Sequence, residues 1–130
     1  MTARRHRCIL YLRHSLGRAG ETEETSLSLE MQDAKLREKA AREGWIVVDA
    51  IRDFDLKGDD PDRPGINDVI QAAKERKTDI VLVFAMSRFA RDQVWQEITY
   101  QRLIGHGVKV VSLVAPNIDH TLFRGVLGVV

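Results

Sequence analysis

The chain has 130 residues, 44% hydrophobic and 30% charged, which suits one globular domain with one core and excludes a disordered or low-complexity chain. No apolar run approaches the ~18–20 residues that cross a bilayer. The basic start, residues 1–7, lacks the apolar stretch of a signal peptide, and the lone Cys8 excludes an internal disulfide and a cysteine-based metal cluster, so a cytosolic protein is expected.

The net charge of +1 hides an asymmetry, because Arg4, Arg5, Arg7, Arg13 and Arg18 precede the first acid, Glu21. Arg4, Arg5 and Arg7 read as a solubilising tail. Cys8–Leu12 reads as a buried strand, and residues 16–25 as a polar loop with two glycines. A helix is expected from Ser28, its N-cap, with Leu29, Leu36 and Ala40 on one face and Gly44 at its end. Residues 45–51 form a second strand, followed by a loop running to Gly65. Pro64 suits the first turn of the next helix, whose stripe is Ile66, Val69, Ile70 and Ala73. Residues 80–86 are a continuous apolar run, fit for a strand buried on both faces. Residues 92–104 read as a third helix carrying Val94, Ile98, Tyr100, Leu103 and Ile104, and residues 108–114 as a fourth strand.

Strand and helix alternate throughout. The expected fold is α/β, a three-layer sandwich around a mostly parallel sheet of four to five strands, with helices on both faces. Sites on such sheets gather at the carboxyl ends of the strands, which singles out loops 13–27, 52–63 and 86–92.

Tyr11, Arg13 and Ser15 alternate along the first strand and past its end, so an extended chain points all three to one side. An arginine on a buried strand needs a partner. Taken by themselves these residues favour a plain reading, in which Arg13 pairs with Asp53 or Asp55 and Ser15 is a turn or capping serine. The other strand ends add Arg63, Arg88 and Arg91. Arginines converging at one sheet edge call for an anion, and phosphate fits the guanidinium fork. Phosphate-loop, dinucleotide and Gly-x-Ser-x-Gly fingerprints are absent from the sequence. His14 and Ser15 stand where a Mg²⁺-dependent phosphoacceptor needs acids, and His6, His14, His106 and His120 show no ligand spacing. A serine among arginines remains, with no metal or cofactor expected.

Tyr11-x-Arg13-x-Ser15, Ser28-Leu-Glu-Met-Gln32, Asp62-Arg63-Pro64-Gly65, Ser87-Arg88-Phe-Ala-Arg91 and Gly107-Val-Lys-Val-Val-Ser follow one another in order. In this set the chain resembles the catalytic domain of the serine site-specific recombinases, the resolvase/invertase family. The long loop after Ser15 and the Arg-Pro-Gly element are closest in pattern to the large serine integrases. The resemblance runs from about Arg7 to the end of the chain.

It implies a resolvase-like fold and a DNA strand transferase that cleaves and rejoins through a covalent 5′-phosphoserine. Ser15 would be the nucleophile. Arg13, Arg88 and Arg91 would bind the scissile phosphate, assisted by Arg63 and by Lys74, and Gln32 would lie near it on the first helix. Asp53, with Asp55 as competitor, would orient an arginine, and Tyr11 belongs to the first motif, with core packing as its plain role. Ser87 stands where many resolvases have an aspartate, which leaves the general acid unassigned. The implied partner is double-stranded DNA, with a homodimer and a synaptic tetramer for the full-length protein and no membrane, acting in the cytoplasm of a bacterial or phage system. The family pattern continues beyond residue 130, so residues 1–130 are expected to be the catalytic domain truncated before its dimerisation helix and DNA-binding region. Two other classes stay open on the residues: a non-catalytic regulatory or dimerising module, and an α/β domain that binds a small phosphorylated ligand. A decayed module would have lost Ser15 or an arginine, and all are present.

Overall fold

The computed structural model describes residues 6–15, 28–55, 64–89 and 93–114. Along them run β1 (Arg7–Ser15), α1 (Leu29–Glu43), β2 (Ile46–Asp55), α2 (Pro64–Lys74), β3 (Ile80–Val83), a 3₁₀ turn (Met86–Arg88), α3 (Gln93–Gly105) and β4 (Lys109–Ser112). The strands form one sheet in the order β2-β1-β3-β4, and every pairing is parallel.

Period-two alternation on β1 sorts its side chains between two cores. Cys8, Leu10 and Leu12 join Leu36 and Ala40 of α1 with Ile80 and Leu82 of β3. Ile9 and Tyr11 join Ile66, Val69 and Ala73 of α2, Leu103 of α3, and Val81 and Val83 of β3. Thus α1 covers one face and α2 with α3 the other, the arrangement that right-handed crossovers require of this strand order. All four β3 residues are buried, as their unbroken apolarity requires, and each such side chain contributes roughly 1.5–3 kcal/mol.

The helix ends follow their sequence signals. The Ser28 hydroxyl accepts from the Met31 amide at 3.2 Å, and Gly44, at φ 77°, donates its amide to the last-turn carbonyls of α1. Pro64 opens α2.

Three expectations need correction. β1 and β2 run on to Ser15 and Asp55, because their ladder continues through Arg13↔Asp53 and Ser15↔Asp55, so Asp53 lies in a strand and not in a loop. β3 stops at Val83 and the chain turns at Met86. Within α3, Thr99 and Leu103 are buried while Val94 and Trp95 are exposed. Arg7 is no free tail residue. Its guanidinium and backbone amide both bind Asp79, at 2.8–3.2 Å, which pins the start of β1 beside β3. Among the described residues, no helix is long and apolar enough to cross a membrane.

Candidate active site

In the order β2-β1-β3-β4 the chain leaves β1 in one direction for β2 and crosses back over it to reach β3. The carboxyl ends of β1 and β3 therefore flank the topological switch point, where such sheets open a crevice. Two buried arginines meet there. Arg13, near the end of β1, is 4% exposed, and Arg88, in the turn after β3, is 2% exposed.

Arg13 Nε donates to the Arg88 carbonyl and its Nη2 to the Ser87 carbonyl, both at 2.8 Å. Arg88 Nη1 reaches back to the Arg13 carbonyl at 3.4 Å, and its guanidinium lies 5.7 Å from the centre of the Phe84 ring. Carbonyl acceptors orient a guanidinium and bring no negative charge of their own. The pair is thereby set in place by backbone.

Gln32 completes the clasp from α1. Pairing of β1 with β3 ends at Tyr11↔Val83, two residues short of Arg13. The buried Gln32 amide makes the bonds that a longer β3 would have made. Its Oε1 accepts from the Arg13 amide at 3.4 Å, and its Nε2 donates to the Arg13 carbonyl at 3.0 Å. Ser15 closes β1 two residues further on, in register with Asp55.

Asp53 forms a second junction. Its Oδ2 accepts from the Tyr11 hydroxyl at 2.7 Å and from the Ile66 amide at 2.8 Å, and its Oδ1 accepts from the Gly65 amide at 2.7 Å. The carboxylate thus satisfies first-turn amides of α2 at the positive end of the helix dipole. The Tyr11 ring stacks on Phe89, 5.9 Å between centres, so the same residue also holds the turn that carries Arg88.

The structure brings together Tyr11, Arg13, Gln32, Asp53 and Arg88 of the residues picked out by sequence. Asp53 differs from expectation in its partners: among the described residues they are one hydroxyl and two amides, with no guanidinium. Lys74 is not brought to this cluster. It is exposed in the last turn of α2, about 15 Å along the helix from the Asp53-capped end at ~1.5 Å per residue. Arg63 and Arg91 lie outside the described residues, just before α2 and α3 respectively. Sequence reasoning missed three contributors: Gly65, Phe89 and the Ser87 carbonyl. The only signal was a glycine directly after a helix-opening proline, where alanine is the better helix former.

Residues 8–129 match the resolvase N-terminal domain family. Three solved structures share the fold. The N-terminal catalytic domain of TP901-1 integrase superimposes with a TM-score of 0.74 at 22% identity, covering 94% of this chain and 91% of that one. The C-terminal catalytic domain of ISC1926 TnpA, an IS607-like serine recombinase, gives 0.70 at 22% identity, over 94% and 77%. A resolvase family site-specific recombinase from Streptococcus pneumoniae gives 0.64 at 24% identity, over 92% and 83%. No curated protein sequence matches the chain. With nearly its whole length matched and Arg13 and Arg88 meeting at the switch point, the chain belongs to the resolvase N-terminal domain family of serine recombinases.

Proposed function

We propose that the chain is the catalytic domain of a DNA site-specific recombinase, with Ser15 as nucleophile. The Ser15 oxygen attacks a backbone phosphorus, gives up its proton, and forms a 5′-phosphoserine ester while the bond to the 3′-oxygen breaks. The 3′-oxygen leaves as a hydroxyl. Rejoining is the reverse attack by a 3′-hydroxyl of a new partner strand. One ester replaces another, so no nucleotide hydrolysis is required.

The observation that carries this reading is the backbone-held pair Arg13 and Arg88 at the switch point, next to the strand end that bears Ser15. Phosphoryl transfer depends chiefly on positioning and on stabilising charge, and preorganised guanidiniums serve both ends. Adjacent positive charge also stabilises the serine alkoxide. Arg63 and Arg91, which the motifs add, are assigned to the same phosphate. Double-stranded DNA is the partner, and the full-length protein works as homodimers that meet in a synaptic tetramer.

The test uses the full gene product with duplex DNA from the ends of the genetic element that encodes it. After denaturation, a protein–DNA adduct is sought and its linkage located by mass spectrometry, with Ser15→Ala as control. An adduct on Ser15, lost in the variant, is expected. An adduct on another residue overturns the nucleophile, and binding without any adduct overturns catalysis.

A further inference from the structure

The first turn of α2 sits against the end of β2 more closely than any side chain would permit. A Cβ placed on Gly65 would stand 2.6 Å from Asp53 Oδ1, 2.7 Å from Asp53 Cγ and 2.8 Å from the Arg52 carbonyl oxygen. Two of these neighbours cannot swing away. The carbonyl belongs to the backbone of β2, and the carboxylate is held by the Tyr11 hydroxyl and by the Gly65 and Ile66 amides. Backbone conformation does not explain the glycine, since among the described residues positive φ is confined to Gly44, Arg76 and Gly107. An alanine would favour the helix by up to ~1 kcal/mol. The residue is there for space.

We propose that Gly65 is a positioning residue of the candidate active site. By letting α2 close onto β2, it allows one carboxylate to bind Tyr11 of β1 and the start of α2 together. That fixes the start of α2, which directly follows Arg63 in the chain, relative to the strand carrying Arg13 and Ser15. The inference deepens the recombinase reading and rests on it. Alanine would push α2 back by most of an ångström, and a misplacement of about 1 Å can cost a hundredfold in rate. Gly65 acts through Arg63 and touches no substrate itself.

The experiment is a double-mutant cycle in the full gene product, with the same DNA from the ends of the encoding element. Wild type, Gly65→Ala, Arg63→Ala and the double variant are compared for the rate of Ser15 adduct formation, for DNA affinity by fluorescence anisotropy, and for thermal melting. Gly65→Ala is expected to form adduct about a hundredfold more slowly with little change in DNA affinity. In the Arg63→Ala background the same change should cost less than threefold, because the group it misplaces is gone. Equal losses in both backgrounds would overturn the proposal, as would a wild-type rate in Gly65→Ala; either result leaves the recombinase reading intact. No adduct from the wild type takes down both. Should Gly65→Ala fail to fold, Tyr11→Phe cuts the same junction without adding an atom and goes through the same cycle. It is expected to slow adduct formation about tenfold, again only while Arg63 is present, and independence from Arg63 overturns the proposal.

Discussion

Arg13 and Arg88 hold each other through their backbones: Arg13 Nε donates to the Arg88 carbonyl at 2.8 Å, and Arg88 Nη1 donates to the Arg13 carbonyl at 3.4 Å. Each guanidinium is oriented by the peptide of the residue that bears the other. Two side chains of like charge are thereby ordered before any anion arrives. A site that must stabilise developing phosphate charge gains from such order, since nothing then has to reorganise during the reaction.

Arg13→Lys tests the fork. A lysine keeps the charge and loses the planar fork that spans the Ser87 and Arg88 carbonyls. At least one buried carbonyl then lacks its donor, which costs about 1–3 kcal/mol. The expected outcome, read by urea denaturation, is a loss in that range, together with a fall in adduct formation larger than the stability change explains. Unchanged stability would show that the fork does not order the site.

Gln32→Leu tests the strand substitute. The side chain is fully buried and bonds both backbone groups of Arg13, so leucine fills much of the volume and supplies neither bond. The buried Arg13 amide loses the Gln32 oxygen and its carbonyl keeps the longer bond from Arg88, so a loss of about 1–3 kcal/mol is expected. Hydrogen exchange locates the effect: the Arg13 amide should exchange much faster in the variant, while amides of α2 keep their protection.

Ser87 makes the opposite prediction. Its carbonyl serves Arg13, but its buried hydroxyl has no hydrogen-bond partner among the described residues. Removing a polar group that is unsatisfied does not cost what removing a bonded one costs. Ser87→Ala should leave the unfolding free energy within about 0.5 kcal/mol of wild type or raise it. A loss above about 1 kcal/mol in a urea melt would show that the hydroxyl has a structural partner in solution.

How much of this was readable beforehand depended on whether the signal was periodic or a matter of register. The stripe Ile66, Val69, Ile70, Ala73 placed α2 because a helix must turn one face inward, and the caps Ser28 and Gly44 bounded α1. Tyr11, Arg13 and the arginine after β3 could be picked out because strand ends on a parallel sheet collect function. Asp53 stands out by sequence as a candidate, but its place in β2 and its bonds to Tyr11 and the start of α2 do not. Residues 52–55, Arg-Asp-Phe-Asp, read as loop, since three charges in four residues seldom prolong a strand. They stay in the ladder because the Asp53 carboxylate meets the first-turn amides of α2, a tertiary contact that leaves no local trace. The register shift between Cys8 and Ile9, which puts Arg13 opposite Asp53, is equally silent in the sequence. The Ser87 and Arg88 carbonyls that accept from the Arg13 guanidinium are likewise silent in the sequence, because they come from a turn that forms only once β3 ends at Val83.

The last prediction concerns Cys8, on the core face of β1 opposite the site's side of the strand. The thiol is fully buried, and desolvation pushes its pKa from 9.0 up to about 12. The folded chain therefore keeps this proton where the unfolded chain releases it. Stability from the neutral thiol is fully present below about pH 9 and declines as the pH rises from there towards 12. Cys8→Ala removes the titration and leaves a small cavity, expected to cost about 1 kcal/mol at pH 7. Urea melts of both proteins at pH 7, 9 and 10.5 should show the wild-type advantage shrinking at the highest pH, because the other ionisable groups are common to both. The thiol should also resist alkylation at pH 8 until the domain unfolds. A constant difference across the series, or fast labelling of the folded protein, would show that β1 opens to solvent at Cys8.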